Sequence, residues 1–181
     1  HKGIEADLAY NVSPKLKIDL FGSFGDWRWD SKEDSLVLYD RENNLPLTDI
    51  NGDVQVISYD ADGVSVGDSP QTQVGISLKY TIIKNLYIKP RYTHFSRYYS
   101  EFDPNNLNNG NEGRQSWQIP SYGLLDVHIG YAITIKETKI DIRLSVLNAL
   151  NTMYISNAAG SEYANFLHED PDFVYPNKFT N

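Results

Sequence analysis

The sequence contains no cysteine, so neither a disulfide framework nor a thiolate metal site can form. It also lacks any apolar run that approaches the length of a spanning helix, which excludes a helical membrane protein. Positive charge is in deficit, and the net charge of -8 argues against binding nucleic acid by phosphate neutralisation. A mean hydropathy of -0.47 is still compatible with a membrane barrel, because its strands are only half apolar and its loops are wet.

No catalytic arrangement is recognisable in the sequence. The histidines are scattered, and no Ser-His-Asp set or metal-ligand spacing occurs among them. They are His1, His94, His128 and His168. We therefore predict that the protein is not an enzyme, and that it holds neither a metal ion nor a cofactor.

What the sequence does contain is alternation of apolar and polar residues with period two. The stretch VGISLKYTIIKNLYIKPRYTHF, from Val74 to Phe95, alternates on both sides of a short pause. Six segments behave in this way and none shows a 3.6-residue stripe, which predicts an all-β antiparallel protein. The segments are Gly3 to Val12, Leu16 to Trp29, Gln71 to Ile82, Leu86 to Tyr99, Tyr122 to Ile135 and Thr138 to Leu150. Pro90 cannot donate a ladder hydrogen bond, so we expect a β-bulge in the fourth segment.

Short and long connections alternate strictly along the chain. The short turns are Asn11 to Lys15, Ile83 to Asn85 and Lys136-Glu137, and the long polar stretches are Asp30 to Pro70, Ser100 to Ser121 and Asn151 to Asn181. All long loops therefore emerge on one side of the sheet. Compact soluble domains seldom carry such loops, whereas bacterial outer-membrane barrels combine short periplasmic turns with long extracellular loops.

The long connections contain a few local signals. Ser35 to Tyr39 and Asp53 to Tyr59 are able to pair as a hairpin, and Asp62-Gly63 is a turn signal. Asp103 to Gly113 looks at first like a calcium loop, but the EF-hand spacing would place a leucine at a ligand position. We interpret it, like the stretch from His168 to Asp170, as plain polar surface.

Tyrosines recur on the apolar face just before each short turn. They are Tyr10, Tyr80 and Tyr131. A ring of tyrosines at one level is favoured at a membrane interface, because the ring tolerates acyl chains while the hydroxyl reaches water. More aromatic residues lie at the other end of the strands, namely Trp27, Trp29, Tyr98, Tyr99, Trp117 and Tyr122. We predict two interface belts, separated by a row of Ile, Leu and Val that faces lipid.

A soluble β-sandwich or a lipocalin-like barrel would produce the same alternation, with the tyrosines closing the end of a core. The loop asymmetry, the two aromatic belts and segments of about 10 to 14 residues favour the membrane. Moreover, four of the apolar faces carry no Lys or Arg, which would cost roughly 2–4 kcal/mol at the bilayer midplane. Because the smallest such barrels have eight strands, we expect residues 1–181 to be an incomplete arc of a larger up-and-down barrel, lacking strands before it and at least one after it.

Four stretches resemble, in this order, the C-terminal part of the transmembrane barrel of TonB-dependent outer-membrane receptors. They read GDSPQTQVGISLKY, NLYIKPRYTHFSRYYSEFDP, SWQIPSYGLLDVHIGYAI and IRLSVLNALNTMYISNA. The similarity is best from Asp68 to Ala158, where VLNALNTMYIS takes the place of the family's N-L-F-N/D-x-x-Y element. We expect the plug domain, the TonB box and the terminal strand to be absent from this segment.

The resemblance implies active import across the outer membrane of a Gram-negative cell. In that family a plug lies inside the barrel, and TonB pulls on it using the proton gradient of the inner membrane. Substrates are siderophores, vitamins such as cobalamin, oligosaccharides or peptides. The implied partners are outer-membrane lipid, the rest of the barrel with its plug, TonB through the N-terminal part, and a surface lipoprotein. A passive porin is the alternative transport function.

Ligand capture by this segment should use residues at the outer rim. Aromatic rings there could stack on sugar or catecholate rings, and arginines could bind anionic groups through charge-assisted hydrogen bonds. The candidates are Trp27, Trp29, Arg97, Tyr98, Tyr99, Arg114 and Trp117. The polar row of the strands carries charges of both signs, for example Glu5, Asp141 and Arg143, which can pair across neighbouring strands or contact a plug. We interpret them as ordinary ion pairs in water-accessible space rather than as substrate contacts.

Overall fold

A computed structural model describes residues 1–101, 107 and 112–158 of the chain. All regular structure in these residues is β-strand. The strands are β1 (Lys2–Ser13), β2 (Leu16–Asp26), β3 (Lys32–Val37), β4 (Val56–Asp60), β5 (Thr72–Ile83), β6 (Leu86–Ser96), β7 (Tyr98–Tyr99), β8 (Gln118–Ile119), β9 (Tyr122–Ile135) and β10 (Thr138–Val146). No helix within the described part of the chain has the length and apolar character needed to cross a membrane.

The six long strands form one antiparallel sheet in the order β1-β2-β5-β6-β9-β10. They belong to a unit made of His1–Trp27, Ser69–Tyr98 and Gln118–Ser156. Each strand pairs with its neighbours along the chain, and β1 and β10 form the two ends of the order, so the sheet is not closed. The predicted all-β, antiparallel, up-and-down and incomplete barrel segment with six long strands is confirmed.

Three strands end earlier than the alternation predicts. β2 ends at Asp26, and the carbonyl of Trp27 accepts a hydrogen bond from Gln71 Nε2 at 2.9 Å. β6 ends at Ser96 because Arg97 adopts a left-handed φ of 50°. β10 ends at Val146, two residues before Asn148, which has a φ of 49°. Local backbone conformation, which the alternation does not report, therefore sets these boundaries.

Each of the three short connections is a two-residue turn. The turns are Pro14-Lys15, Lys84-Asn85 and Lys136-Glu137. Asn85 and Lys136 have φ angles of 68° and 55°, the left-handed conformation that tight hairpin turns require. In the first turn the hydroxyl of Ser13 accepts hydrogen bonds from the backbone N–H groups of Lys15 and Leu16 at 3.2 and 3.1 Å. The predicted short connections are confirmed: the first two are shorter than predicted, and Lys136-Glu137 is as predicted.

The β-bulge predicted at Pro90 is wrong. The β6–β9 register runs through Pro90 without a shift, with Pro90 opposite Val127. On the other side, the pairs Ser77↔Arg91 and Tyr80↔Ile88 keep one register across the proline. Proline only removes a donor from the ladder, and the strand tolerates this loss without inserting a residue. The side-chain alternation of β6 therefore continues unchanged from Leu86 to Ser96.

The two faces of the six-stranded sheet differ in chemistry. One, the apolar face, bears the Ile, Leu, Val and Tyr row, aligned across strands by pairs such as Ile18↔Leu78 and Leu20↔Ile76. Many of its side chains are exposed, with Ile4 75% and Leu144 59% exposed, whereas others such as Ile18 are half-buried. The other, the polar face, bears the charged residues. The buried hydrophobic residues of the described chain are Ala61, Val64, Tyr98, Leu107 and Ile119, and none lies in the six long strands.

A second unit comprises the described residues within Arg28–Asp68, Tyr99–Trp117 and Asn157–Asn181. The predicted hairpin is confirmed, since β3 and β4 pair antiparallel, and Asp62-Gly63 forms the predicted turn with a Gly63 φ of 74°. Ala61, Val64 and Leu107 form a small buried cluster under Tyr59. Most of Asp103 to Gly113 and all of His168 to Asp170 lie outside the described residues.

Candidate functional site

The three tyrosines predicted for the membrane interface lie on the apolar face at the turn end of the sheet. Tyr10 pairs with Ile18, Tyr80 with Leu16, and Tyr131 with Leu86 and Ile142. All three side chains are exposed. The structure therefore places them on one side and at one end of the sheet, which is the arrangement that an interfacial belt requires.

Arg97 ties together the loop ends of three strands. Its Nε donates to Thr72 Oγ1 at 2.7 Å, and one terminal nitrogen donates to the carbonyls of Gly25 and Gln71 at 2.8 and 3.1 Å. The left-handed φ of Arg97 turns the chain so that the side chain folds back over β5. The guanidinium thus satisfies backbone and hydroxyl acceptors of the sheet. Its role in binding a ligand stays a prediction.

Trp27 lies next to this junction. Its indole covers Gly25 so closely that a Cβ there would lie 2.6 Å from Trp27 Cε2, and the ring of His1 lies 6.3 Å away between centroids. Tyr98 is only 6% exposed, and its hydroxyl donates to the carbonyl of Ser156 at 2.6 Å. Both aromatic candidates belong to the unit of the six-stranded sheet. Trp27 is half-buried, whereas Tyr98 is buried.

A stack of three rings, which the sequence analysis did not propose, lies at the loop end of the polar face. The rings of Phe95 and Tyr122, which are direct cross-strand partners, are 4.9 Å apart, and Tyr154 stacks on Tyr122 at 4.4 Å. Alternation carried through Pro90 would have placed Phe95 on the polar face, but the register that sets it opposite Tyr122 comes from the structure. No sequence signal indicates that Tyr154 joins them, because it follows β10 in a segment without alternation.

A turn built on Asn148 delivers Tyr154 to this stack. The backbone N–H of Asn148 donates to Asp126 Oδ1 at 2.9 Å. The Asn148 side-chain amide bonds both to the N–H of Thr152, at 2.9 Å, and to its carbonyl, at 3.0 Å. Asn148 and Asn151 both have left-handed φ angles, 49° and 51°, which Asn tolerates better than most residues. The two asparagines of VLNALNTMYIS are therefore the residues that form the turn.

The remaining ligand candidates belong to the second unit. Trp29 is exposed and exchanges backbone hydrogen bonds with Val64 and Gly63. Trp117 is half-buried, and its carbonyl accepts the N–H of Ser100 at 2.9 Å. Arg114 and Tyr99 are half-buried as well. The structure thus divides the seven candidates between the two units.

Charged groups of the second unit show shifted pKa values. The pKa of Asp60 is lowered by a hydrogen bond from the N–H of Asp62 and by Lys32, whose Nζ lies 3.2 Å from the carboxylate. The pKa of Asp49 is lowered by backbone N–H groups, that of Asp53 first. The pKa of Glu101 is raised by a hydrogen bond with the carboxyl group of Asp68. The second unit therefore contains carboxyl groups whose pKa values are shifted in opposite directions.

The chain matches the family described as "TonB dependent receptor-like, beta-barrel" over residues 1–149. It belongs to this family. The resemblance in the sequence is thus confirmed over most of the chain. No curated protein matches the chain.

TonB-dependent receptor barrels are outer-membrane components of reception and transport, and the family is not an enzyme family. In the described residues of this receptor barrel, no group of three or more His, Asp or Glu side chains could hold a metal ion. An exposed apolar face on a sheet that is not closed is consistent with a segment of such a barrel.

Proposed function

We propose that this sheet lies in the outer membrane, with its apolar face in lipid, and forms part of a receptor that imports a nutrient by TonB-dependent active transport. The exposure of the apolar face carries the proposal. Burying a Leu or Ile side chain contributes about 1.5–3 kcal/mol, and monomeric soluble proteins rarely expose apolar patches beyond a few hundred Å². A face bearing exposed Ile4, Leu8, Leu20, Ile142 and Leu144 on three strands is therefore stable in lipid rather than in water.

We propose further that the sheet is an arc of the C-terminal part of a larger barrel. The edges at β1 and β10 present backbone groups that lipid cannot satisfy, and each unpaired group would cost several kcal/mol. Other strands of the same barrel would satisfy both edges. A plug inside that barrel, TonB acting on the plug and a surface lipoprotein are the partners that the family resemblance suggests.

The substrate belongs to the ring-bearing or anionic nutrients: a siderophore, a vitamin, an oligosaccharide or a peptide. Among the seven candidates for ligand binding, Trp29, Arg114 and Trp117 belong to the second unit, and Trp27 lies at the end of the six-stranded sheet. Arg97 and Tyr98 instead hydrogen-bond to backbone carbonyls within their own unit. We propose no enzymatic activity for this segment.

Uptake by the native host tests the function. A strain that lacks the gene should lose uptake of one radiolabelled member of a panel of ferric siderophores, cobalamin, oligosaccharides and peptides. A protonophore should abolish the same uptake in the wild-type strain, because TonB-dependent import needs the proton gradient. Uptake that persists with the protonophore would identify a passive porin. Extraction of the protein without detergent would contradict the membrane assignment.

A further inference from the structure

Two long connections are joined to each other within the second unit. We call residues 27–71, between β2 and β5, the first connection, and residues 97–121, between β6 and β9, the second connection. The N–H of Gly113 donates to the carbonyl of Asp60 at 2.8 Å, and the N–H of Asp60 donates to the carbonyl of Leu107 at 3.1 Å. Leu107 also packs in the buried cluster with Ala61 and Val64. Residues of the second connection thus hold the segment from Asp60 to Val64.

The side chain of Gln115 adds a further link between the connections. Its Oε1 accepts hydrogen bonds from the N–H and the hydroxyl of Ser65, at 3.1 and 3.0 Å. Its Nε2 donates to the carbonyl of Gly63 at 2.9 Å. Ser65 is only 4% exposed, and a buried donor that loses its acceptor costs stability. Both ends of one amide group therefore bind the same short segment of the first connection.

That segment is tied to Trp29 as well. The N–H of Trp29 donates to the carbonyl of Val64 at 2.8 Å, and the N–H of Gly63 donates to the carbonyl of Trp29 at 2.9 Å. Nη1 of Arg28 donates at 3.0 Å to the carbonyl oxygen of Gly63, the oxygen that Gln115 also binds. Residues 63–65 are therefore hydrogen-bonded both to the backbone of Trp29 and to the side chain of Gln115.

Two ligand-binding candidates flank Gln115 in the chain. Arg114 precedes it directly, and Trp117 follows two residues later. The carbonyl of Trp117 accepts the N–H of Ser100 at 2.9 Å, which fixes the chain on that side. Because Gln115 is anchored to the segment that holds Trp29, the positions of all three candidates depend on the same hydrogen bonds.

We infer that Gln115 is a positioning residue, which holds Arg114 and Trp117 of the second connection in a fixed relation to Trp29 of the first. The two connections then move as one body, and their candidate side chains act as one binding site. The coupling of the connections does not depend on the proposed function. The use of this site for an imported nutrient rests on that proposal.

Two glutamine variants test the coupling. Gln115→Met keeps an unbranched side chain of similar length but removes the amide. Gln55→Met is the matched control, because Nε2 of Gln55 donates at 3.1 Å to the carbonyl of Thr48 within the first connection alone. The measurement is amide hydrogen exchange of the full-length protein in detergent, resolved to single residues.

Exchange should respond in both connections when the amide of Gln115 is removed. In Gln115→Met we expect the amides of Ser65, Trp29 and Gly113 to exchange roughly two- to tenfold faster than in the wild type, the range that the net contribution of one hydrogen bond implies. In Gln55→Met these three amides should exchange at the wild-type rate. Faster exchange at Ser65 alone would overturn the inference, because the effect would then be confined to the lost bond.

The variant Gln115→Glu separates hydrogen bonding from packing. Glutamate has the same length as glutamine, still accepts from the N–H and the hydroxyl of Ser65, and attracts the guanidinium of Arg28. We expect wild-type exchange rates in this variant. Equal rates in the Met and Glu variants would show that the acceptor oxygen does not hold the connections together.

Uptake measures the consequence for ligand binding. For the nutrient identified in the uptake panel, Gln115→Met should raise the half-saturation concentration and leave the maximal rate per receptor unchanged, whereas Gln55→Met should change neither. An unchanged half-saturation concentration in Gln115→Met would contradict the single binding site. A wild-type receptor that imports no member of the panel would contradict the proposed function instead, and the exchange rates would still decide whether the two connections are coupled.

Discussion

The ring of Phe21 lies against Gly75, its direct cross-strand partner, and leaves no room for a side chain at residue 75. A Cβ there would lie 2.7 Å from Phe21 Cε1 and 2.7 Å from the carbonyl oxygen of Tyr92. Tyr87 covers Gly130 on the neighbouring pair of strands in the same manner. A large ring opposite a glycine fits in one register only, so these pairs help to fix the alignment of the sheet.

The variant Gly75→Ala tests this relationship. We expect a loss of about 1–3 kcal/mol in the free energy of unfolding, because the ring can move but the carbonyl oxygen cannot without disturbing the ladder. Gly22→Ala is the control, since a Cβ there meets its nearest atom, Phe24 Cε2, at 3.4 Å. Urea unfolding of the protein in detergent measures both, and equal midpoints for the two variants would contradict the prediction.

Charge on the apolar face should prevent membrane insertion. Ile76→Arg places a guanidinium among lipid chains, at a cost of roughly 2–4 kcal/mol near the midplane. Gln73→Arg, on the same strand but on the polar face, is the control and should insert normally. Fractionation of cells into outer membrane and insoluble material distinguishes them. If Ile76→Arg reached the outer membrane as efficiently as Gln73→Arg, lipid would not be what the apolar face contacts.

The turn after β10 should depend on the side chain of Asn148 more than on its backbone angle. Asn148→Gly keeps the left-handed φ at no steric cost but loses two hydrogen bonds to Thr152, each with a net contribution of about 0.5–1.5 kcal/mol. Asn148→Ala loses the same bonds and adds strain of roughly 1–2 kcal/mol. We expect unfolding midpoints in the order wild type, Gly, Ala. A Gly variant equal to the wild type would show that the hydrogen bonds contribute nothing.

Acidification should loosen the β3–β4 hairpin at Asp60. The pKa of this carboxyl is lowered by the N–H of Asp62 and by Lys32, so the stabilisation is present above its ordinary value of 3.8 and is lost as the pH falls through the lowered pKa. Asp60→Asn should remove the pH dependence and leave the hairpin exchanging faster at neutral pH. Amide hydrogen exchange of Val56–Asp60 between pH 3 and pH 6, corrected for intrinsic rates, measures the effect.

The contact between Asp68 and Glu101 should respond to pH in the opposite direction. The pKa of Glu101 is raised by its hydrogen bond with Asp68, so this stabilisation is present below the ordinary value of 4.5 and is lost as the pH rises through the raised pKa. Glu101→Gln keeps a donor at every pH and should hold the contact at pH 7. Protease cleavage near Asp68 should be slower in this variant than in the wild type at neutral pH, and equal rates would contradict the assignment.

Alternation predicts the long strands well because each has two faces in different surroundings, and β9 runs from Tyr122 to Ile135 as the pattern predicts. The contacts of the candidate ligand-binding residues are harder to predict from alternation. Residue type suggests that Arg97 binds an anion, but its left-handed backbone directs the guanidinium toward Gly25 and Gln71. Tyr154 joins Tyr122 only through the turn at Asn148. Such contacts depend on local geometry, which periodicity does not encode.

The two-residue turns also bear on how the sheet assembles. Closing a loop costs entropy that grows by roughly 0.6 kcal/mol for each doubling of its length. The pairs β1–β2, β5–β6 and β9–β10 are closed by two-residue turns, whereas β2–β5 and β6–β9 are separated by far longer segments. Each of these hairpins can therefore form from its own turn before it pairs with the next hairpin. The unit of assembly is thus the two-stranded hairpin, and the sheet extends when one preformed hairpin pairs with another.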